Sequence, residues 1–197
     1  MITLQSLGLS IEGKRFFKDL SISFLPSAII RLNGPNGCGK TSLLRMIAGI
    51  QSPTNGTIKF NQKQLSISLL DKPYCNYIGH KTAIKNELTV IENMSYWGKL
   101  CNSEILIPAA IKYFNLEDIL EQKCLELSEG NKKKVALSRL IICPAKLWLL
   151  DEIDTNLDTK NKELLTNLIV SHADSGGLTI MASHNTLPIK TTLDLTL

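Results

Sequence analysis

Eight residues constrain this chain more than any others: Gly34-Pro35-Asn36-Gly37-Cys38-Gly39-Lys40-Thr41. They match the pattern Gly-x-x-x-x-Gly-Lys-Ser/Thr at every specified position. Ahead of them lies Ala28-Ile29-Ile30-Arg31-Leu32, short and mostly apolar, which predicts a buried strand. Behind them lies Ser42-Leu43-Leu44-Arg45-Met46-Ile47-Ala48-Gly49, apolar at helical spacing with a glycine where a helix stops. The loop therefore falls where a strand hands over to a helix, which is the context this motif requires. Glycines let the backbone curl until several N–H groups face one anion. The helix N-terminus adds partial positive charge. Lys40 is expected to reach the outer phosphates, the Thr41 hydroxyl to ligate magnesium, and Ser42 to complete the nucleotide-binding set. The implied ligand is a nucleoside triphosphate.

The chain of 197 residues is long enough for one domain with a core. A net charge of +4 permits contact with an anionic surface but gives no argument for nucleic acid. No apolar run approaches the ~18 residues that span a bilayer, and Met1 to Ser10 lacks the blocks of a signal peptide. Any role at a membrane is thus expected to be peripheral. The five cysteines, Cys38, Cys75, Cys101, Cys124 and Cys143, are odd in number and scattered. That argues for a reducing compartment and against structural disulfides or a zinc site.

Along the chain, Ile2, Leu4 and Leu7 suggest one strand, and Leu20, Ile22 and Phe24 another. They form a small antiparallel region ahead of a parallel core. After the first helix, Thr57-Ile58-Lys59-Phe60 and Tyr77-Ile78-Gly79 read as short strands. From about residue 88 the pattern turns helical. Thr89 and Glu92 have capping-box spacing. Further helices are expected near Ser103 to Phe114 and Leu116 to Gln122, and Ser128 caps a longer one that ends at Pro144. Residues 87–140 are read as a helical subdomain inserted into an α/β core of residues 1–86 and 141–197. The core resumes with Leu147-Trp148-Leu149-Leu150-Asp151-Glu152, a buried strand ending in two carboxylates. A helix from about Asp158 to Val170 and a last strand, Leu178 to Ala182, follow, with His184 just beyond.

In a parallel sheet these strand ends converge on one nucleotide. Asp151 is expected to hold the magnesium and Glu152 to act as general base toward the attacking water. His184 is expected to contact the γ-phosphate or orient that water. With Lys40 these form the expected catalytic set.

The segment Leu127-Ser128-Glu129-Gly130-Asn131, followed by the basic run Lys132-Lys133-Lys134, resembles the signature of ATP-binding cassette ATPases. The resemblance covers essentially the whole chain, including a D-loop-like Thr155-Asn156-Leu157-Asp158. It implies a P-loop NTPase of cassette type, with a RecA-like parallel core, an N-terminal antiparallel β region and an inserted helical subdomain. It also implies ATP and Mg2+ as ligands and a homodimer of cassettes. In such a dimer Ser128 and Gly130 of one copy close over the phosphates held by the other, and Asp158 belongs to the D-loop.

Several positions depart from the family. Glu129 replaces a glycine and is expected to face solvent or the neighbouring lysines. Asn131 replaces a glutamine, and Ile153-Asp154 stands where many relatives have proline and a small residue. The Q-loop glutamine, counted back from Leu88-Thr89-Val90-Ile91-Glu92-Asn93, falls on His80, with a hydrogen bond to water as its remaining role. No aromatic stands where relatives stack adenine; Phe16 is the nearest ring and is read as core. The triple lysine is read as a solvated helix face. Cys143-Pro144 resembles a dipeptide of some haem-sensing sites, but it also falls where a helix must break, which is the reading taken.

The compact length, Asn33-Gly34-Pro35-Asn36-Gly37, and Ile78-Gly79-His80 followed by Ile84-Lys85-x-Glu87-Leu88-Thr89 look most like the ATPase of the cytochrome c maturation haem exporter, the CcmA family. That likeness implies a membrane permease subunit, haem-handling maturation proteins as partners, no nucleic acid, and a peripheral place on the cytoplasmic face of the inner membrane. The alternatives are the ATPase of a lipid, drug or metal exporter, and a soluble cassette protein acting on ribosome or DNA.

Overall fold

The computed structural model describes residues 1–61, 63–64, 75–79, 81–155, 157–183 and 187–197. The expected α/β architecture is present. Strands β1 (Ile2–Ile11), β2 (Lys14–Phe24), β4 (Asn55–Phe60) and β5 (Lys63–Gln64) form an antiparallel sheet in the order β2-β1-β4-β5. Strands β3 (Ile29–Asn33), β6 (Cys75–Ile78), β7 (Leu147–Asp151), β8 (Leu178–Ala182) and β9 (Leu193–Thr196) form a parallel sheet in the order β6-β7-β8-β3-β9.

The central strands β3, β7 and β8 are buried on both faces because they carry mostly apolar residues at successive positions. In β7, Leu147 and Leu149 face the core shared with the antiparallel sheet and α1 (Lys40–Ile47). Trp148 and Leu150 face the opposite core, which includes residues of α2 (Val90–Cys101), α3 (Ile107–Phe114), α4 (Glu129–Ile142) and α5 (Thr159–Asp174). Two-residue periodicity in one strand thus serves two cores.

The helical starts follow local chemistry. Thr89 Oγ1 accepts the Glu92 N–H at 3.2 Å, and the Glu92 carboxylate accepts the Thr89 N–H at 2.8 Å, a complete capping box. Ser128 Oγ accepts the Asn131 N–H at 3.2 Å, and Asp158 Oδ1 accepts the Asn161 N–H at 2.7 Å. The expected helix at Leu116 to Gln122 is only a 3-10 turn at Glu117–Ile119. Its few residues are tethered instead by backbone bonds to the start of α2, where the Ile91 N–H donates to the Leu120 carbonyl.

Two features were not expected. The chain after β8 adds β9 at the sheet edge beside β3, and the Leu197 N–H donates to the Asn33 carbonyl. The strand is short and mostly exposed, so it carries little hydrophobic signal. Second, Cys101 and Cys143 form a disulfide between the ends of α2 and α4, with Cα atoms 5.5 Å apart. This corrects the reading against disulfides. The two cysteines lie 42 residues apart, and only the packing of α2 on α4 brings them together. It also corrects any view of Cys143 as a haem ligand, since its sulfur is already bonded.

In the last turn of α5, His172 stacks on Trp148 with ring centroids 3.7 Å apart and planes 3° from parallel. A Cβ at Gly177 would come within 2.2 Å of the His172 ring, so the turn leaves room only for glycine. Burial pushes the His172 pKa down from 6.5 to about 4. A folded value below the unfolded one means the fold favours the neutral ring. That stability is full above about pH 6.5 and is lost as pH falls toward 4. Thermal melts between these pH values are expected to show this loss, and His172→Phe, which keeps an aromatic stack, should reduce the slope. An unchanged slope would assign the acid sensitivity to other groups.

Candidate active site

The phosphate loop joins β3 to α1, as its flanking residues require. Gly34, Gly37 and Gly39 all have positive φ, at 138°, 76° and 110°. Gly34 also has no room for a side chain: a Cβ there would lie 2.7 Å from Cys38 Sγ and 3.0 Å from the Leu197 carbonyl oxygen. The C-terminal strand thus buttresses the loop from behind. Gly39 caps α1, and the helix's N-terminal N–H groups face the loop interior. Lys40 is buried and folds back on the loop, donating to the carbonyls of Gly34 at 2.7 Å and Pro35 at 3.1 Å.

The carboxylates meet this loop from the end of β7, which β8 separates from β3 in the sheet. Thr41 Oγ1 donates to Asp151 Oδ1 at 3.1 Å, across a sequence separation of 110 residues. The Tyr77 hydroxyl donates to Asp151 Oδ2 at 3.3 Å. Tyr77 is in register with Leu149, two residues before Asp151, so both side chains leave the same face. Burial raises the Asp151 pKa, the neighbouring Glu152 adds to this, and the bonds from Thr41 and Tyr77 oppose it. The sequence marks Tyr77 only as part of a short strand; its place beside the carboxylates follows from the pairing of β6 with β7.

Glu152 stands just past β7 with φ 52°, in the left-handed region. Its N–H donates to the Ala182 carbonyl at 2.9 Å, and its own carbonyl accepts the Thr155 hydroxyl at 2.8 Å. Glu152, Phe16, Asn36, Gly37, Gly39, Lys40, Thr41 and Ser42 line a cavity of about 210 Å³. The loop and the acidic strand end therefore converge as expected. Phe16, read as core, does pack against the core beneath the antiparallel sheet, and it also lines this cavity, with Lys14 Nζ 5.3 Å from its ring centre. It sits on β2, whose antiparallel sheet lies against the loop, a placement only the tertiary fold supplies.

Ser128 and Gly130 sit at the N-terminus of α4 and do not line this cavity. Glu129 is exposed and pairs with Lys132 at 3.0 Å, the arrangement expected of it. The triple lysine is not a solvated face. Lys133 is buried, and burial lowers the pKa of both Lys133 and Lys134. The helix turns these residues toward the core, so three consecutive charges cannot share one exposed side. Asp158 caps α5, as noted above. His80 and His184 lie outside the described residues.

Magnesium fits the donor set. Thr41 and Asp151 offer hard oxygens side by side beside the phosphate cradle, the protein ligands such an ion needs when phosphates supply the rest. Among the described residues no group of three or more His, Cys, Asp or Glu side chains could hold a metal by itself.

The ABC transporter family model matches residues 17–155. The cytochrome c biogenesis ATP-binding export protein CcmA of Rickettsia bellii (strain RML369-C) is 52% identical over 190 residues, 96% of this chain and 96% of its own. The protein of the same name from Wolbachia pipientis wMel is 38% identical over 94% of this chain and 90% of its own. Among solved structures, a putative ABC transporter ATP-binding protein from Pyrococcus furiosus superposes with a TM-score of 0.83 at 19% identity, over 100% of this chain and 96% of that one. A dimeric ATP-binding cassette, MJ0796, in a post-hydrolysis state with ADP and Pi, gives 0.82 at 19% identity, over 94% and 88%. At these identities the two structures speak for the fold alone.

Proposed function

The chain belongs to the ABC transporter family, and from that premise we propose how it works. It is the ATP-hydrolysing subunit of an ABC exporter for cytochrome c biogenesis. The observation that carries this is the match to CcmA proteins over nearly the full length. Exporters of lipid, drug or metal, and soluble cassettes acting on ribosome or DNA, are not favoured by these relatives. We further propose that the exported or released cargo is haem, for c-type cytochromes, through a separate permease subunit and haem-handling maturation proteins. The chain is then peripheral on the cytoplasmic face of the inner membrane. No helix among the described residues is long and apolar enough to cross a membrane, which fits a borrowed membrane path.

The site residues divide the chemistry. Gly34 to Ser42 cradle the triphosphate through backbone N–H groups. Lys40 exchanges its loop carbonyls for the outer phosphate oxygens. Thr41 and Asp151 hold the magnesium, which when bound offsets phosphate charge. Glu152 accepts a proton from water as that water's oxygen bonds to the γ-phosphorus and the bond to the leaving ADP oxygen breaks. His184 remains our candidate for the γ-phosphate contact and His80 for a bridging water. Ser128 and Gly130 act in trans: the exposed N-terminus of α4 closes on the nucleotide of a second copy, with Asp158 in the adjoining D-loop. Residues 87–140 form the helical subdomain of this cassette, and residues 1–86 and 141–197 its core.

Affinity purification from membranes tests the assignment. A membrane permease and haem-handling proteins are expected to travel with the chain. Recovery with a ribosome and no membrane protein would remove the transport reading.

A further inference from the structure

We propose that Lys133 is a positioning residue for hydrolysis: its buried ammonium group holds the backbone of Glu152, tying α4 to the general base of the same subunit. The inference rests on the reading of Glu152 as that base.

Lys133 is 5% exposed, whereas Lys132 beside it reaches the surface to pair with Glu129. An ammonium group out of water must be compensated by partners. Lys133 Nζ donates to the Glu152 carbonyl at 3.4 Å. Asp154, Asp151, Glu152 and Glu129 surround it with opposite charge, and Asp154 contributes most. Asp154 is itself buried, and its Oδ2 accepts the Ser183 hydroxyl at 2.9 Å. Asp154 thus supplies the largest share of the opposite charge that offsets the burial of Lys133.

The turn needs such support. Glu152 is a non-glycine residue in the left-handed region, a conformation kept only where the surroundings over-determine it. Among the bonds that do so are those from its N–H to Ala182, and to its carbonyl from Thr155 and from Lys133. The first comes from β8 and the second from the turn itself. The third comes from α4. Lys133 lies within the first turns of that helix, close after Ser128 and Gly130. One helix therefore carries both the end proposed to close on the partner's nucleotide and the group that holds its own base.

The test uses the full chain with its membrane partner. Four forms are compared for ATP turnover, ATP affinity and melting temperature: the parent, Lys133→Met, Lys133→Met/Asp154→Asn, and Glu152→Gln. Lys133→Met is expected to lower kcat by roughly tenfold or more, the loss of one charge-assisted hydrogen bond, with KM for ATP little changed. It also leaves Asp154 buried without its counter-charge, so its melting temperature should fall. The double variant removes both charges and should regain melting temperature without regaining kcat. Parent-level turnover in the double variant would mean that Lys133 only neutralises Asp154, and would overturn the inference. If Lys133→Met is too unstable to assay, the double variant decides alone. Parent-level turnover of Glu152→Gln would sink the base reading itself. An inactive Glu152→Gln alongside Lys133 variants at the parent rate would sink only the role of Lys133.

Discussion

Glu152→Gln is expected to stop turnover while leaving ATP bound. The substitution keeps the size of the side chain and removes its ability to take a proton. It leaves intact the backbone bonds that hold residue 152 in its left-handed conformation. It also leaves Asp151, Thr41 and the phosphate loop, which we propose carry the nucleotide. Loss of general-base catalysis slows such a step by about 10²- to 10⁴-fold. ATP that binds without being cleaved keeps the interface between two cassettes closed. The variant should therefore sediment as an ATP-dependent dimer, under conditions where the parent returns to its resting state. Turnover at the parent rate would show that another group takes the proton.

Lys40→Ala is expected to weaken ATP binding by about 10- to 150-fold, the worth of one hydrogen bond to a charged group. Lys40 is buried at the start of α1. Its ammonium group already sits inside the loop, on the carbonyls of Gly34 and Pro35. It therefore needs only a short swing to reach an outer phosphate, so little ordering opposes binding. Arginine is no substitute, because its planar fork reads phosphate differently from a compact ammonium group. Calorimetric titration of ATP with magnesium decides the matter, and an affinity equal to the parent's would remove Lys40 from the phosphate site.

Much of the site was legible because its chemistry is local. A strand, a glycine-bearing loop and a helix are contiguous in sequence, so their order alone specified the cradle. Asp151-Glu152 was legible because an apolar run that ends in carboxylates marks the edge of a buried parallel strand. The caps at Thr89, Ser128 and Asp158 were readable for the same reason: each bond spans three residues. Phe16 and Tyr77 were not legible as site residues. Each reaches the site from a strand whose position depends on pairing with distant partners. The lysines after the signature misled because a charge run usually marks a solvated face, whereas a helix points consecutive side chains in different directions.

What the sequence by itself determined is the nucleotide machinery: the phosphate loop, its lysine and threonine, and the paired carboxylates, all set by contiguous backbone chemistry. The tertiary structure alone decided what surrounds them. It closed the Cys101–Cys143 disulfide across α2 and α4, laid β9 behind Gly34, turned Tyr77 onto Asp151, and buried Lys133 behind Glu152. The physical reason is range. Turns, caps and loop curvature are bonded between near neighbours, while a side chain's burial and its partner are fixed only when separate strands and helices pack.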